Sequence, residues 1–314
     1  FKELTVREAQ NRPNPLGKAH EQNYTMKKFE NNIINLYGEP GKQWLANLPQ
    51  LTAKVAESYG LSNIEPVKNL SYNYVLAGLR GSRPIILKLG LDTEQFNQEA
   101  LALKRFTGFG AAHVLEENKG MLLLERAVPG TSLKCFFPDQ DNEAIHITCE
   151  CLKRLHQAPI PHGHPLPNIK DWLGALDNAP RVPEDFLCTA RNLRDELIAT
   201  SARPALLHGD LHHDNILQNG NNWIVIDPKG VIGEPAYDVA AFIRNPLPEV
   251  LQHPSSWSII EHRINEFAKI LELPKQRISH WCYVQSVLAW AWVLEDNSDE
   301  TYFRKLTELF SSYL

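Results

Sequence analysis

No stretch of this chain is apolar for long enough to span a bilayer. The most apolar run near the C-terminus, Val284 to Leu294, is interrupted by Gln285 and Ser286 and falls short of the roughly 20 residues a spanning helix needs; it is expected to form a buried helix. An excess of basic charge is also missing: 32 Lys and Arg stand against 37 Asp and Glu, a formal net charge of −5. That balance speaks against nucleic acid, which asks for a clustered basic surface, and suits a cationic small substrate better. Cysteines are few and odd in number, Cys135, Cys149, Cys151, Cys188 and Cys282, without zinc or redox spacing and with no apolar leader before them. The expected compartment is the cytoplasm, with no membrane partner. No internal repeat is evident. Residues 1–25 lack apolar periodicity and are rich in Asn, Gln and charge, and the first methionine is Met26. This segment is expected to be a tail or extension. What remains, in a chain of 314 residues that is 43% hydrophobic, is enough for one large domain or two modest ones.

The informative stretch is His208 to Asp227, HGDLHHDNILQNGNNWIVID. Two short apolar runs, Ile216-Leu217 and Trp223 to Ile226, flank the polar tract Gln218 to Asn222, which predicts a hairpin. Asp210 and Asn215 precede the first strand and Asp227 follows the second. That order gathers three oxygen ligands around one pocket, and oxygen ligands favour Mg²⁺. Two other readings stand beside it. His208, His212 and His213 with the two acids could form a zinc cluster, although the spacing reproduces no zinc pattern. The hairpin could also carry merely solvated polar ends, which leaves the ordered Asp, Asn and Asp unexplained.

His-x-Asp-x-x-x-x-Asn followed by an Asp after a strand is the catalytic-loop and metal-binding order of kinases. A protein kinase, however, has Arg where this chain has Gly209 and Phe-Gly where it has Pro228-Lys229. The sequence therefore resembles the aminoglycoside phosphotransferase family, small-molecule relatives of protein kinases. Within it, IDPKGVIGEPAYD (Ile226 to Asp238) is most similar to the streptomycin 6-kinase and hydroxyurea-kinase branch. The resemblance implies an α+β, two-lobed, protein-kinase-like fold, with a small mixed α/β lobe built on an antiparallel sheet and a larger, mainly helical lobe. Residues 26–127 would form the nucleotide-binding lobe and residues 128–314 the catalytic and substrate-binding lobe.

Local patterns are consistent with that division. Leu51 to Tyr59 reads as helix, Leu70 to Leu79 alternates weakly, Gly81 to Pro84 makes a turn, and Ile85 to Leu89 reads as a strand. Asp92 and Gln95 resemble a capping pair for a helix with Phe96, Ala100, Leu103 and Phe106 on one face. Lys88 has two readings: a solvent-facing strand lysine or, as the resemblance implies, the lysine that binds the ATP α- and β-phosphates, with Glu99 as its helix partner. Met121 to Leu124 is a further apolar run. The chain after it is either an ordinary strand exit or the family's adenine-binding linker, with the carbonyl of Glu125 and the amide of Ala127 as contacts.

Further on, Glu143 to Leu155, Pro183 to Leu197 and Ile278 to Trp292 follow helical spacing, and Leu206-Leu207 reads as the strand presenting His208. His156, His162 and His164 read as surface or loop histidines without a metal. By resemblance Asp210 is the catalytic base, Asn215 and Asp227 hold Mg²⁺, His208 supports the loop, and Asp238 bonds the loop backbone, where spacing alone would equally allow a solvated helix-start acid. Lys229 either touches phosphate or substrate or is a solvated loop residue. Glu295, Asp296 and Asp299 are either carboxylates for a guanidinium-bearing substrate or a solvated acidic helix end. Trp281 and Trp290 are expected in the helical core, the alternative being a cation-binding face. The implied function is ATP-dependent phosphorylation of a hydroxyl on a small molecule, an aminoglycoside of the streptomycin type. The alternatives are another metabolite, a hydroxyurea-like compound, or a catalytically silent nucleotide-binding module.

Overall fold

A computed structural model describes residues 15–160, 163, 166–201, 203–296 and 298–314, with side chains described from Met26 onward. Residues 1–14 of the expected extension, together with His162 and His164, lie outside the described residues. From Pro15 the backbone is helical, so the described part of that extension is the start of α1.

The chain divides into two compact units. In the first, α1 (Pro15–Tyr59) consists of two helical runs joined at Gly38, whose φ of +60° is readily adopted only without a side chain. It is followed by β1 (Leu61–Pro66), β2 (Tyr74–Arg80) and β3 (Arg83–Leu89), then α2 (Thr93–Arg105), which passes into the second unit from residue 97, and by β4 (Val114–Asn118) and β5 (Met121–Glu125), back in the first unit from residue 115. The sheet order is β1-β2-β3-β5-β4, with β1–β2, β2–β3 and β3–β5 antiparallel. Strand period two sets the packing: Ile85, Leu87 and Leu89 on β3 are fully buried in one cluster with Phe29 and Ile33 of α1. Lys88 points to the opposite face, in register with Val75 on β2 and Leu122 on β5.

The predicted cap of α2 is present, the Gln95 amide donating to Asp92 Oδ1 at 2.9 Å, and Phe96, Ala100, Leu103 and Phe106 are all buried. The division differs from the expected 127/128 boundary. Ala127 belongs to the second unit, and so do residues 97–114. The reason is backbone pairing: Ala111 bridges Val225, the Ala112 amide donates to Val225 O, and the Val225 amide donates to Gly110 O.

From Ala127 the second unit runs through β6 (Pro129–Ser132), α3 (Asp141–Leu155), α4 (Ile169–Leu173), α5 (Glu184–Ala199), β7 (Ala205–Leu207), β8 (Ile216–Asn219), β9 (Asn222–Val225) and β10 (Val231–Gly233). It closes with α6 (Pro235–Ile243), α7 (Glu249–Gln252), α8 (Ser256–Leu271), α9 (Lys275–Glu295) and α10 (Thr301–Ser311). The predicted hairpin is β8–β9, which with β6 makes a three-stranded antiparallel sheet, while β7 pairs antiparallel with β10. Helix α9 is buried almost all round, including Trp281, Val284, Leu288 and Trp290. Each such large apolar side chain contributes about 1.5–3 kcal/mol of burial free energy. No helix among the described residues is long and apolar enough to cross a membrane.

One buried ion pair braces this unit. Arg263 of α8 is fully buried and grips Asp141 of α3 through Nε at 2.8 Å and Nη2 at 2.6 Å, while Nη1 donates to Ile243 O at 3.0 Å at the end of α6. Burial alone would raise the Asp141 carboxyl, but the hydrogen bonds and charge of Arg263 bring it down to about 2.

Candidate active site

Strand β7 ends at Leu207, and the next three residues make the turn that presents Asp210. Gly209 has φ +84°, and a Cβ there would stand 2.8 Å from the Trp172 ring and 3.1 Å from Val231. Glycine therefore fits this position, which accounts for the departure from the protein-kinase Arg. Asp238, in the first turn of α6 and only 1% exposed, fastens the turn. Its Oδ2 accepts from the His208 amide at 2.9 Å and its Oδ1 from the Gly209 amide at 2.7 Å, while His156 Nε2 lies 3.0 Å from Oδ2. Of the two readings of Asp238, the loop-bonding one is the one observed. His156, read as a surface or loop histidine, is instead part of this junction, because the end of α3 aims its ring at the carboxylate.

His208 is buried, and burial pushes its imidazole below the usual histidine range. Its Nδ1 accepts from the Asp210 amide at 3.3 Å, so Nε2 carries the proton and donates to Ile226 O at 2.8 Å. This places His208 in the supporting position expected of it. His213 stacks on Phe242 at 3.9 Å, and His212 Nδ1 accepts from the Asp214 amide at 3.3 Å. The three histidines thus have separate tasks, and among the described residues no group of three or more His, Cys, Asp and Glu is placed to hold a metal.

Asp210 follows with its side chain 32% exposed. Arg244 Nη2 donates to Oδ1 at 3.3 Å, and His212 Nε2 stands 3.8 Å from Oδ2. Burial would raise this carboxyl, but the nearby His212, Arg244 and Lys229 charges outweigh it and hold Asp210 below its ordinary value.

The hairpin brings the two candidate cation ligands together. Ile216 pairs with Val225, and one step beyond, the Ile226 amide donates to Asn215 O at 3.0 Å, so Asp227 follows directly on the residue paired with Asn215. Asn215 is buried and commits its amide nitrogen to Asp210 O at 2.9 Å, so its Oδ1 is the atom able to ligate. Asp227 has φ +59°, a left-handed turn that Asp tolerates better than most residues, and Lys229 Nζ sits 3.1 Å from its Oδ2. One carboxylate and one amide oxygen form a hard donor set that fits Mg²⁺, which takes one or two carboxylates and completes its shell with water and phosphate.

The other expected residues are distributed as follows. Lys88 is 7% exposed with its ammonium 5.8 Å from the Phe96 ring centroid; the solvent-facing reading is overturned, because this face of β3 is covered. Glu99, on α2 in the second unit, is 4% exposed, and neither residue is without a partner. Glu125 ends β5 opposite Ile85, the Arg126 amide donates to Pro84 O at 3.3 Å, and Ala127 is buried. Glu295 and Asp296 are exposed at the end of α9, where the Arg181 guanidinium donates to Leu294 O. Trp281 and Trp290 are core residues, Trp290 Nε1 donating to Glu300 at 2.7 Å. The exposed tryptophan of α9 is instead Trp292, 39% exposed and edge-on to Trp172 at 6.4 Å. Arg244 and Trp172 went unmarked in the sequence. Arg244's only local signal is a guanidinium ending the apolar run Val239 to Ile243.

The sequence model of a family described as aminoglycoside/hydroxyurea antibiotic resistance kinase matches residues 62–297, and the chain belongs to that family. It is a kinase-like, ATP-dependent phosphotransferase acting on a small molecule. A streptomycin 3''-kinase of Klebsiella pneumoniae is 30% identical over 235 residues, covering 71% of this chain and 85% of the relative. A streptomycin 6-kinase of Streptomyces griseus is 26% identical over 273 residues, 82% of this chain and 87% of the relative. Among solved structures, a thermostable mutant of aminoglycoside phosphotransferase APH(4)-Ia in a ternary complex with ADP and hygromycin B superposes with a TM-score of 0.62 at 15% identity, covering 83% of this chain and 96% of that one.

Proposed function

We propose that this kinase transfers the γ-phosphoryl group of ATP to a hydroxyl of an aminoglycoside of the streptomycin type, with Asp210 as the base. The supporting observation is the carboxylate itself: Asp210 is partly exposed, held ionised, and one hydrogen bond from Asn215 at the mouth of the hairpin that carries Asp227. Phosphoryl transfer needs alignment and charge neutralisation more than covalent chemistry. The acceptor oxygen attacks the γ-phosphorus, the bond to the β–γ bridging oxygen breaks, and the hydroxyl proton passes to Asp210. Asn215 and Asp227 are the residues proposed to hold Mg²⁺, which when bound supplies positive charge against the phosphates. In the same reading Lys88 binds the α- and β-phosphates, Glu99 positions Lys88, and the Glu125 carbonyl and Ala127 amide meet adenine. Lys229, 3.1 Å from Asp227, touches phosphate or substrate. Glu295 and Asp296 face the cationic groups of the acceptor, supported by their exposure next to Trp292.

A panel of streptomycin, other aminoglycosides, hydroxyurea and simple polyols, followed by ADP release and product mass, tests the assignment. Streptomycin is expected to gain one phosphoryl group, and Asp210→Asn to lower the rate by about 10²–10⁴-fold. Turnover of hydroxyurea alone would replace the substrate and keep the base. A folded Asp210→Asn variant that works as fast as the parent would remove the base.

A further inference from the structure

Arg244 stands at the catalytic carboxylate without a role in the reaction as derived so far. It caps the C-terminal end of α6, with its side chain 15% exposed. Its guanidinium is held on the side away from Asp210. Nη1 donates to Gln285 Oε1 at 2.6 Å, and that amide, on buried α9, donates through Nε2 to Tyr237 O at 2.6 Å. Its backbone is held as well, the Tyr302 hydroxyl donating to Arg244 O at 2.6 Å. The other terminal nitrogen, Nη2, reaches Asp210 Oδ1 at 3.3 Å. On the other carboxylate oxygen, His212 Nε2 is 3.8 Å away, too far for a hydrogen bond.

We infer that Arg244 is a positioning residue: anchored by Gln285, it clamps Oδ1 of Asp210 so that Oδ2 is the oxygen turned to the acceptor hydroxyl. The inference rests on the proposed role of Asp210 as the base. During transfer the proton moves from the acceptor hydroxyl to Oδ2 as the new P–O bond forms and the bond to the ADP leaving oxygen breaks, while the guanidinium keeps its own protons throughout. A planar, forked cation suits this task because its two arms address two partners in one plane. A lysine would reach Asp210 or Gln285 but would not fix the angle between them. The energetic demand is one of orientation, and a base misaligned by about 1 Å loses on the order of 10²-fold in rate.

A double-variant cycle tests this on whichever acceptor the parent turns over. Arg244→Met is expected to lower kcat about 30- to 100-fold, with KM for ATP unchanged within about twofold. Arg244→Lys should recover part of that loss. Gln285→Met, which frees the anchor and leaves the cation in place, should lower kcat by roughly 3- to 10-fold. In the Asp210→Asn background all three substitutions should cost nothing further, since a clamp has no effect without the group it holds. Additive losses in that background, a rise in KM for ATP matching the fall in kcat, or full activity in Arg244→Met would each overturn the assignment. If Arg244→Met does not fold, Gln285→Met and Arg244→Lys complete the same cycle, and full activity in both would overturn it equally. A parent that phosphorylates no acceptor refutes the substrate reading instead, and the cycle is then read on ADP release to water.

Discussion

Replacing Asp238 separates the junction beneath the turn that presents Asp210 from the chemistry proposed for that carboxylate. The carboxylate accepts from two peptide amides, one buried and one part-buried, at 2.9 and 2.7 Å, and lies 3.0 Å from the His156 ring. In Asp238→Asn the amide oxygen can keep Gly209 and the new NH₂ can donate to His156 Nε2, but the His208 amide then faces a donor. The loss is one hydrogen bond to a charged group, about 1.5–3 kcal/mol. Asp238→Ala strands both peptide amides at about 1–3 kcal/mol each, so roughly 2–6 kcal/mol in all. That is a large share of the ~5–15 kcal/mol that keeps a protein folded. Because the same two peptides lead directly into Asp210, kcat should fall alongside stability, and Asn should be the milder of the two. Urea unfolding followed by circular dichroism and acceptor kinetics at 25 °C provide the two readouts. An unchanged midpoint in Asp238→Ala would show that those amides find other acceptors. A lowered midpoint with parental kcat would show that the turn keeps its geometry without the carboxylate.

Other substitutions probe neighbouring features. Asp227→Ala should weaken ATP binding in the presence of Mg²⁺ far more than in EDTA, and calorimetry showing equal loss in both would take Asp227 out of the cation site. Gly209→Ala forces a side chain into φ +84° and against Trp172, costing about 1–2 kcal/mol for the backbone before any clash; a thermal melt matching the parent's would contradict that geometry. Asp141, held at about 2 in the folded protein against 3.8 when free, stabilises fully above pH 3.8 and loses its contribution as pH falls through about 2. The difference in urea midpoint between the parent and Asp141→Asn, worth roughly 2 kcal/mol, should therefore narrow on acidification, and a constant difference would mean that the carboxylate is not selectively ionised in the folded chain.

The parts of this molecule that sequence reading recovered are those whose cause is local. The β8–β9 hairpin follows from two apolar runs around a polar tract, the start of α2 from an acid three residues before the amide it caps, and the burial of α9 from apolar residues on every side. The long α1 was read only at Leu51 to Tyr59. Gly38, Pro40 and Pro49 resemble breaks, yet Gly38 bends the helix and Pro40 falls just inside the second run, where a missing amide hydrogen costs little. What could not be read depends on distant residues meeting. His156 reaches Asp238 across 82 positions, Arg244 reaches Asp210 across 34, and Arg263 reaches Asp141 across 122. No periodicity records such pairs, because each residue is ordinary in its own segment. The tryptophans illustrate the same limit: Trp281 and Trp290 are core residues as expected, but Trp292, on the same helical spacing as Trp281, is 39% exposed beside Trp172, a residue on another helix.

Helix α9 joins a packed interior, from Ile278 to Ala291, to an open tip at Trp292, Glu295 and Asp296. Under selection these two stretches should drift at different speeds. A saturation library across the helix would leave few survivors in the interior, where Gln285 anchors Arg244 and the tryptophans fill space, and many at the tip, where side chains have room to change. Trp172 links that tip to the turn, packing over Gly209 and edge-on to Trp292. On the proposed role of Glu295 and Asp296, new acceptor preferences would accumulate one residue at a time at the tip while the proposed phosphoryl-transfer residues are inherited intact.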